Sequence, residues 1–282
     1  MAKLTVCTVL GTRPEIIKLA PLIPLLDGQM GLRQVLLHTG QHYSFDMDAV
    51  FFTELGLRSV DVQLAVGSGS HAVQTAAILI GVERAILEHG IGLVLVFGDT
   101  NSTLGAALAA AKLAVPVVHI EAGCRSFVRT MPEEINRVLV DHCSAQLLAP
   151  NQAAFQHLRS EGIAERDITV VGSTAIDAAR AFAPRAQGRT IVAESLSTLG
   201  CSADQPYLTC TVHRAENTTP EVLPGLVRGL SRLAERYPLL WPVHPRTRRL
   251  LDELKLPLSP RIGLLPPVGY LDPKKERAAL LG

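Results

Sequence analysis

The chain has 282 residues, 48% hydrophobic and 19% charged, which is long enough for two α/β domains with buried cores. Its formal net charge of +1 excludes a broad basic surface of the kind that binds nucleic acid or an anionic membrane. Its five cysteines form no C-x-x-C pair and show no metal-binding spacing. This usage favours reduced thiols in a cytoplasmic protein without a metal site.

Apolar, β-branched runs alternate with helix-like spacing along the chain, which is typical of a doubly wound parallel sheet. The first run, at residues 4–10, is predicted to be a buried strand and not part of a signal peptide. Further strands are predicted near 34–39, 93–97, 117–120, 146–149 and 168–171, with helices near 14–26, 71–89, 102–113, 133–143, 151–161 and 174–184. No apolar run reaches the roughly 20 residues that span a bilayer.

A second alternation follows a polar stretch at residues 185–190. Its strands are predicted near 207–212, 239–244 and 262–265. The sequence therefore predicts two Rossmann-like α/β domains, one over residues 1–180 and a second over residues 190–282.

Polar clusters follow the predicted strands at the points where the strands end. The clusters are Gly11-Thr12-Arg13, Thr39-Gly40-Gln41-His42, Gly98-Asp99-Thr100-Asn101, Glu121-Ala122-Gly123, Val212-His213-Arg214 and His244-Pro245-Arg246. In open α/β sheets, ligands bind outside the carboxyl ends of the strands. Two such sheets facing each other would form a cleft with carboxylates on one side and basic residues on the other. For a single residue such as Asp99 or Thr100, ordinary turn and capping chemistry is the alternative.

The first strand-to-helix turn is predicted to bind an anion. Gly11 supplies backbone freedom for a sharp turn, and Pro14 suits the first turn of a helix. Free N–H groups and the helix dipole favour an anion there, and Arg13 and Lys18 add positive charge, so phosphate is the predicted ligand. The alternative is that Glu15 pairs with Lys18 at i,i+3 and that Arg13 is solvated.

Seven motifs occur in one order between about residues 5 and 271: GTRPEIIKLAPLI, TGQHY, GDTNSTLGAALAAA, HIEAGCRSF, MPEEINRVLVDH, TVHRAEN and PVHPRTR. Together they resemble the non-hydrolysing UDP-N-acetylglucosamine 2-epimerases. The resemblance implies two Rossmann-like domains of the glycosyltransferase B type, a UDP-sugar in the cleft, no cofactor, and a homodimer. It also implies interconversion of UDP-N-acetylglucosamine and UDP-N-acetylmannosamine, through elimination of UDP to a glycal and its re-addition.

The resemblance also implies which residues bind the nucleotide sugar. Arg13, Lys18 and His213 would hold the diphosphate, and His213 would also donate a proton to it. Further substrate-binding positions are Gln41, His42 and His244. For His244, a position in the core beside Trp241 is the alternative.

Three carboxylates are implied as the catalytic groups. Asp99, Glu121 and Glu133 would surround carbons 1 and 2 of the sugar, where one removes the carbon 2 proton and another returns it. Which carboxylate is the base stays open. For Glu133 the alternative is structural, because Thr130 to Glu133 fits a capping box and Glu133 can pair with Arg137 at i,i+4.

Family members continue beyond the motif PPVGYLD with a loop and a glutamate that hold the uridine and phosphate, whereas this sequence continues as PKKERAALLG. On this basis we expect an incomplete second domain, and we expect the 282 residues alone to be inactive or nearly so as an epimerase. Three functions stay open: an epimerase, a glycosyltransferase of the same fold, and a non-catalytic fragment that binds a UDP-sugar.

Overall fold

The structure, a computed structural model, describes residues 3–41, 51–186, 191–202, 204–212 and 217–265. The chain divides into two units, Met1–Ala181 and Phe182–Gly282. The strands of the first unit are β1 (Leu4–Leu10), β2 (Leu32–His38), β3 (Val62–Gln63), β4 (Leu93–Phe97), β5 (Val117–Ile120), β6 (Gln146–Ala149) and β7 (Ile168–Val170). The helices that begin in it are α1 (Arg13–Leu19), α2 (Leu22–Asp27), α3 (His71–His89), α4 (Asn101–Lys112), α5 (Pro132–Cys143), α6 (Gln152–Ser160) and α7 (Thr174–Ala186).

In the described part of the first unit, seven strands form one parallel sheet in the order β3-β2-β1-β4-β5-β6-β7. The chain fills the sheet outwards from β1 in one direction and from β4 in the other, so the order reverses between these two strands. In open α/β sheets, a crevice at the carboxyl ends of the strands next to such a reversal is where ligands bind. The topology therefore predicts a ligand-binding site at the loops after β1 and β4.

The sheet is covered by helices that pack closely on its central strands. Strand β1 pairs with β2 along its whole length, from Leu4 opposite Leu32 to Leu10 opposite His38. Buried residues of β1, β4, α3 and α4 form one hydrophobic cluster. Small residues allow α4 to approach α3, and a side chain at Gly105 would begin 2.8 Å from a methyl carbon of Ile78.

The second unit contains α8 (Ile191–Thr198), β8 (Leu208–Thr209), α9 (Leu223–Arg236), β9 (Leu239–Pro242), α10 (Pro245–Glu253) and β10 (Ile262–Leu265). Its three strands form a parallel sheet in the order β10-β9-β8. Trp241 of the central strand is fully buried and packs with Leu223 and Val227 of α9. Within the described part of the chain, no helix is long and apolar enough to cross a membrane.

The predicted α/β class with parallel sheets is confirmed, and strands β4, β5, β6 and β10 and helix α3 have the predicted bounds. The helix predicted at 14–26 is instead two helices, because Pro21 has no N–H to continue the hydrogen-bond ladder. The strand predicted at 34–39 begins earlier, at Leu32, and the one predicted at 207–212 is only the two residues of β8. Strand β3 was not predicted.

Gly11 is required for a different reason from the predicted one. Its φ does not lie in the left-handed region. A Cβ atom at this position would lie 2.0 Å from Oγ1 of Thr39 and 2.2 Å from Oγ of Ser102. Gly11 therefore allows the end of β1 to approach the loop after β2 and the first turn of α4, which a side chain would prevent.

Candidate functional site

A pocket of about 190 Å³ lies at the carboxyl ends of β1, β4 and β5, beside the reversal in strand order. Those of its lining residues that the structure describes belong to the first unit. They are Thr12, Pro14, Glu15, Lys18, Phe97, Gly98, Asp99, Thr100, Glu121, Cys124 and Arg137. The structure thus brings together three of the residues predicted from the strand-end argument and the resemblance: Lys18, Asp99 and Glu121.

Several hydrogen bonds fix the segment that carries Asp99. The guanidinium of Arg137 donates to the Asp99 carboxylate, and the amide of Asn136 donates to the Asp99 carbonyl at 2.8 Å. One residue earlier, the carbonyl of Gly98 lies 2.8 Å from Nε2 of His119. Gly98 has a φ of 69°, a conformation that favours glycine. Asp99 therefore projects from a fixed turn rather than from a loose loop.

Glu121 follows β5 and has a φ of 68°, in the left-handed region that non-glycine residues seldom adopt. Such conformations cost free energy and cluster at functional sites. Its two carboxylate oxygens lie 3.1 and 3.2 Å from Nζ of Lys18. Nζ of Lys18 also lies 5.2 Å from the centre of the Phe97 ring. The predicted alternative, a pair between Glu15 and Lys18, is therefore wrong.

Glu15, which sequence reasoning did not assign to the site, turns back onto the start of its own helix. Its carboxylate accepts hydrogen bonds from the backbone N–H groups of Gly11 and Thr12 at 2.7 and 2.8 Å, and from the hydroxyl of Thr100 at 2.7 Å. Burial raises the pKa of Glu15, and these hydrogen bonds oppose the rise. Those two N–H groups are thus already used, which corrects the prediction that this turn offers them to a phosphate.

Arg13 lies in the same turn but does not line the pocket. Its guanidinium carbon is 5.1 Å from the centre of the Phe51 ring, and the residue is half-buried. This contact with an aromatic face is favourable for a cation. The interpretation of Arg13 as a fully solvated side chain is therefore wrong.

Glu133 is not part of the pocket lining and is exposed on the first turn of α5. The helix begins at Pro132, and its N-cap residue Met131 makes no side-chain cap, so the predicted capping box with Thr130 is wrong. The predicted pair with Arg137 is also wrong. Across the described ranges, Glu133 makes no hydrogen bond or ion pair, which leaves its carboxylate available.

The neighbouring Glu134 has the inward-facing position instead. Its carboxylate accepts from the N–H groups of Ser126 and Phe127 at 2.9 Å each and from Arg137 at 2.8 Å. Burial works against ionisation, but these hydrogen bonds lower the pKa of Glu134 to about 2. Arg137 therefore bridges Glu134 and Asp99, and it orients the latter toward the pocket.

A buried network lies beneath the pocket. Asp141 of α5 accepts from Nδ1 of His119 at 2.7 Å and lies 2.7 Å from a guanidinium nitrogen of Arg125. It also accepts from the N–H of Gly123 at 3.1 Å. Burial opposes ionisation of Asp141, but the hydrogen bond and charge of His119, together with Arg125, lower its pKa below the ordinary value. The network fixes the loop after β5, which carries Glu121.

The side chains of Gln41 and His244 each make hydrogen bonds at the start of a helix. The amide oxygen of Gln41 accepts from the N–H and hydroxyl of Ser102 at 2.9 and 2.7 Å, which stabilises the start of α4. His244 is the N-cap of α10, where its Nδ1 accepts from the N–H of Arg246 at 3.2 Å. Because His244 is only half-buried, its interpretation as a core histidine is wrong. The predicted site residues His42 and His213 lie outside the described residues.

Comparison with known proteins agrees with the resemblance in the motifs. Residues 25–275 match the family model described as UDP-N-acetylglucosamine 2-epimerase. The chain belongs to this family. A UDP-N-acetylglucosamine 2-epimerase from Methanococcus maripaludis is 43% identical over 271 residues, which cover 94% of this chain and 73% of the relative. The predicted family is thus confirmed.

Of two further relatives, one indicates a different sugar substrate within the family and the other is a solved structure with which the fold can be compared. A UDP-2,3-diacetamido-2,3-dideoxy-D-glucuronate 2-epimerase from Pseudomonas aeruginosa is 40% identical, with 95% of this chain and 73% of the relative covered. The crystal structure of the Methanocaldococcus jannaschii UDP-N-acetylglucosamine 2-epimerase in complex with UDP-N-acetylglucosamine and UDP has a TM-score of 0.82 at 41% identity. That comparison covers 95% of this chain and 75% of the solved chain. The solved fold and the described one therefore correspond.

Proposed function

We propose that the protein interconverts UDP-N-acetylglucosamine and UDP-N-acetylmannosamine without hydrolysing the nucleotide sugar. The observation that carries this proposal is the pair of carboxylates, Asp99 and Glu121, in one pocket at the strand-order reversal. Family membership supports it, as does the solved relative in complex with UDP-N-acetylglucosamine and UDP. The pocket is smaller than the roughly 300–1,000 Å³ of whole-ligand sites, so it fits only part of a nucleotide sugar.

The reaction needs help from the leaving group, because carbon 2 of the sugar is not next to a carbonyl. In the first step the bond from carbon 1 to the diphosphate oxygen breaks, and its electron pair leaves with UDP. The carbon 2 proton passes to a carboxylate, and the C–H electron pair forms the double bond of a glycal. In the second step UDP bonds to carbon 1 again, while a proton is delivered to the other face of carbon 2. Two positioned acid–base groups and a stabilised diphosphate are the requirements.

We assign these roles to the residues of the site as follows. Asp99 and Glu121 serve as acid–base groups, and the exposed Glu133 is the third candidate carboxylate on the grounds of the resemblance. Lys18 and Arg13 bind the diphosphate, with His213 as the further cation and proton donor. When the diphosphate binds Lys18, the ion pair between Lys18 and Glu121 breaks, and the Glu121 carboxylate can contact the sugar.

The remaining substrate contacts rest on the resemblance. His42 and His244 bind other parts of the nucleotide sugar. Gln41 acts indirectly, because its amide oxygen is engaged by Ser102 at the start of α4. The five cysteines are free thiols, which supports a reducing, cytoplasmic location for the reaction.

The experiment that tests the proposed function follows UDP-N-acetylglucosamine by NMR. We expect it to be converted slowly to UDP-N-acetylmannosamine, over hours, until an equilibrium mixture forms. UDP-2,3-diacetamido-2,3-dideoxy-glucuronate is the matched comparison, because a relative that is 40% identical acts on that sugar. Turnover of this second substrate alone, or transfer of the sugar to an added acceptor without epimerisation, would overturn the proposal.

Replacing Lys18 by Ala should weaken UDP binding by about ten- to a hundredfold, because a hydrogen bond to a charged group is worth about 1.5–3 kcal/mol. Arg13→Ala should weaken it by a similar factor. Calorimetric titration with UDP measures the effect. Lys112→Ala, which removes an exposed lysine at the end of α4, is the control and should bind like the wild type. Unchanged affinity in both the Lys18 and Arg13 variants would refute the diphosphate assignment.

We further propose that the protein is a homodimer, and α3 supplies an apolar face that supports this. Val73, Ile80 and Leu87 are spaced by seven residues, so they lie on one side of the helix, and they are 65%, 57% and 67% exposed. An exposed apolar stripe of this kind on a helix is typical of a protein–protein contact.

Ile80→Glu is therefore expected to convert a dimer into a monomer, because each copy would bury one glutamate charge in the contact between them. Light scattering coupled to size exclusion gives the mass. The control is Leu25→Glu, since Leu25 is 69% exposed on a different helix, α2. A monomeric wild type, or an Ile80→Glu protein that stays dimeric, would contradict the assignment.

A further inference from the structure

The carboxylate of Glu15 joins two turns that come from distant parts of the sequence. One oxygen accepts from the N–H groups of Gly11 and Thr12, in the turn between β1 and α1. The other oxygen accepts from the hydroxyl of Thr100, in the turn between β4 and α4, at 2.7 Å. Glu15 is 3% exposed, so these contacts are made away from solvent. A buried hydrogen-bonded bridge of this kind restrains both segments.

The two turns carry different parts of the proposed machinery. Helix α1 carries Lys18, one turn after Glu15, and the residue before Thr100 is Asp99. On its other side, the Asp99 segment is held by Arg137 and by contacts at its backbone. Glu15 therefore helps to fix this segment relative to α1.

We infer that Glu15 is a positioning residue, which sets the distance between the diphosphate-binding cation of α1 and the acid–base carboxylate Asp99. This inference rests on the proposed epimerisation. Glu15 does not itself exchange a proton with the sugar, because it is 3% exposed, whereas the side chains of Asp99 and Glu121 are 32% and 29% exposed. Its length is the property that matters, since a displacement of about 1 Å between reacting groups can cost about a hundredfold in rate.

Two substitutions distinguish the effect of the length of the Glu15 side chain from the effect of its charge. Glu15→Gln keeps the length, and its amide oxygen can still accept from Gly11 and Thr12 while its NH₂ group faces Thr100. Glu15→Asp keeps the charge but is one methylene too short to reach both turns. A positioning role predicts that kcat falls by about a hundredfold in Glu15→Asp and by less than about tenfold in Glu15→Gln. An acid–base role predicts the reverse order, with Glu15→Gln the inactive variant, and would overturn the inference.

The bridge to Thr100 gives a second, independent test. Thr100→Val removes the hydroxyl and should lower kcat, and Thr100→Ser, which restores a hydroxyl, should recover most of the kcat lost in Thr100→Val. Because Glu15→Asp and Thr100→Val break the same bridge, the double variant should be no slower than the slower single variant. UDP affinity, measured by calorimetry, should change by less than about threefold throughout. Multiplicative losses in kcat would show that Glu15 and Thr100 act independently, and losses that follow only the fraction of unfolded protein would show a merely structural role; either result would overturn the inference.

Failure of the proposed function is separable from failure of this inference. If the wild type does not epimerise UDP-N-acetylglucosamine, the proposed function fails, and the melting temperatures of the wild type, Glu15→Asp, Thr100→Val and the double variant then test the bridge. We expect the falls in melting temperature of Glu15→Asp and Thr100→Val to be non-additive. Additive falls would show that Glu15 and Thr100 are not coupled and would overturn the inference in either case.

Discussion

Asp99→Asn is expected to lower kcat for epimerisation by about 100- to 10,000-fold and to leave UDP affinity nearly unchanged. The amide cannot take up the carbon 2 proton or return it, but it has the size of the carboxylate and occupies the same turn. Glu121→Gln should show a loss in the same range, because two carboxylates are needed for removal and return of the proton. Steady-state rates from NMR of the two UDP-sugars measure both effects.

Glu165→Gln is the matched control for these variants, since it neutralises an exposed carboxylate just before the edge strand β7. It should have wild-type kcat. Less than a tenfold loss in kcat for both Asp99→Asn and Glu121→Gln would show that the pocket is not the place where the proton is transferred.

Asp141→Asn is expected to lower the free energy of unfolding by about 3–5 kcal/mol, the usual cost of removing one partner of a buried ion pair. The side chains of Arg125 and His119 are each 1% exposed, and both contact this carboxylate. Urea unfolding measures the loss. The control is Asp252→Asn, whose carboxylate is 65% exposed and pairs with Arg248, so its loss should be below about 1 kcal/mol. A loss below that value for Asp141→Asn would contradict the account of the network.

The carboxylates of Asp141 and Glu134, whose pKa values are lowered in the folded protein, should make its stability sensitive to acid. Burial opposes ionisation of Asp141 and Glu134, but hydrogen bonds from His119 and from the N–H of Ser126, with other donors, hold both pKa values below the ordinary ones. The unfolded chain therefore binds more protons, so this stabilisation is present above the ordinary pKa values and is lost as pH falls from about 4.5 toward 2. Asp141→Asn should show a shallower decline, measured by urea midpoints across this range.

Much of the fold could be predicted because the strands are buried on both faces and read as continuous apolar runs. The bounds of β4 and β5 follow from such runs, which end at Gly98 and Glu121. The break in the first predicted helix depended on Pro21, whose missing N–H overrides a helical spacing that continues on either side. The reason for Gly11 was not predictable, because Ser102 approaches it only after α4 has packed.

The site was predictable where a residue directly follows a strand, as for Asp99 and Glu121. It was not predictable where the phase of a helix decides which side chain faces inward. Glu133 and Glu134 both lie within reach of Arg137 in sequence, and only the start of α5 at Pro132 turns Glu134 toward the Arg137 guanidinium. A pairing rule at i,i+3 or i,i+4 cannot choose between them.

Incubation of the protein with UDP-N-acetylglucosamine in deuterated water tests the central claim most directly. Removal and return of the carbon 2 proton predict that deuterium appears at carbon 2 of the recovered nucleotide sugar, and that Asp99→Asn suppresses its incorporation. Label accumulates over hours, so turnover far below the roughly 1–10³ per second of typical enzymes is still detected. Recovery of nucleotide sugar without deuterium at carbon 2, from protein that binds UDP, would contradict the account.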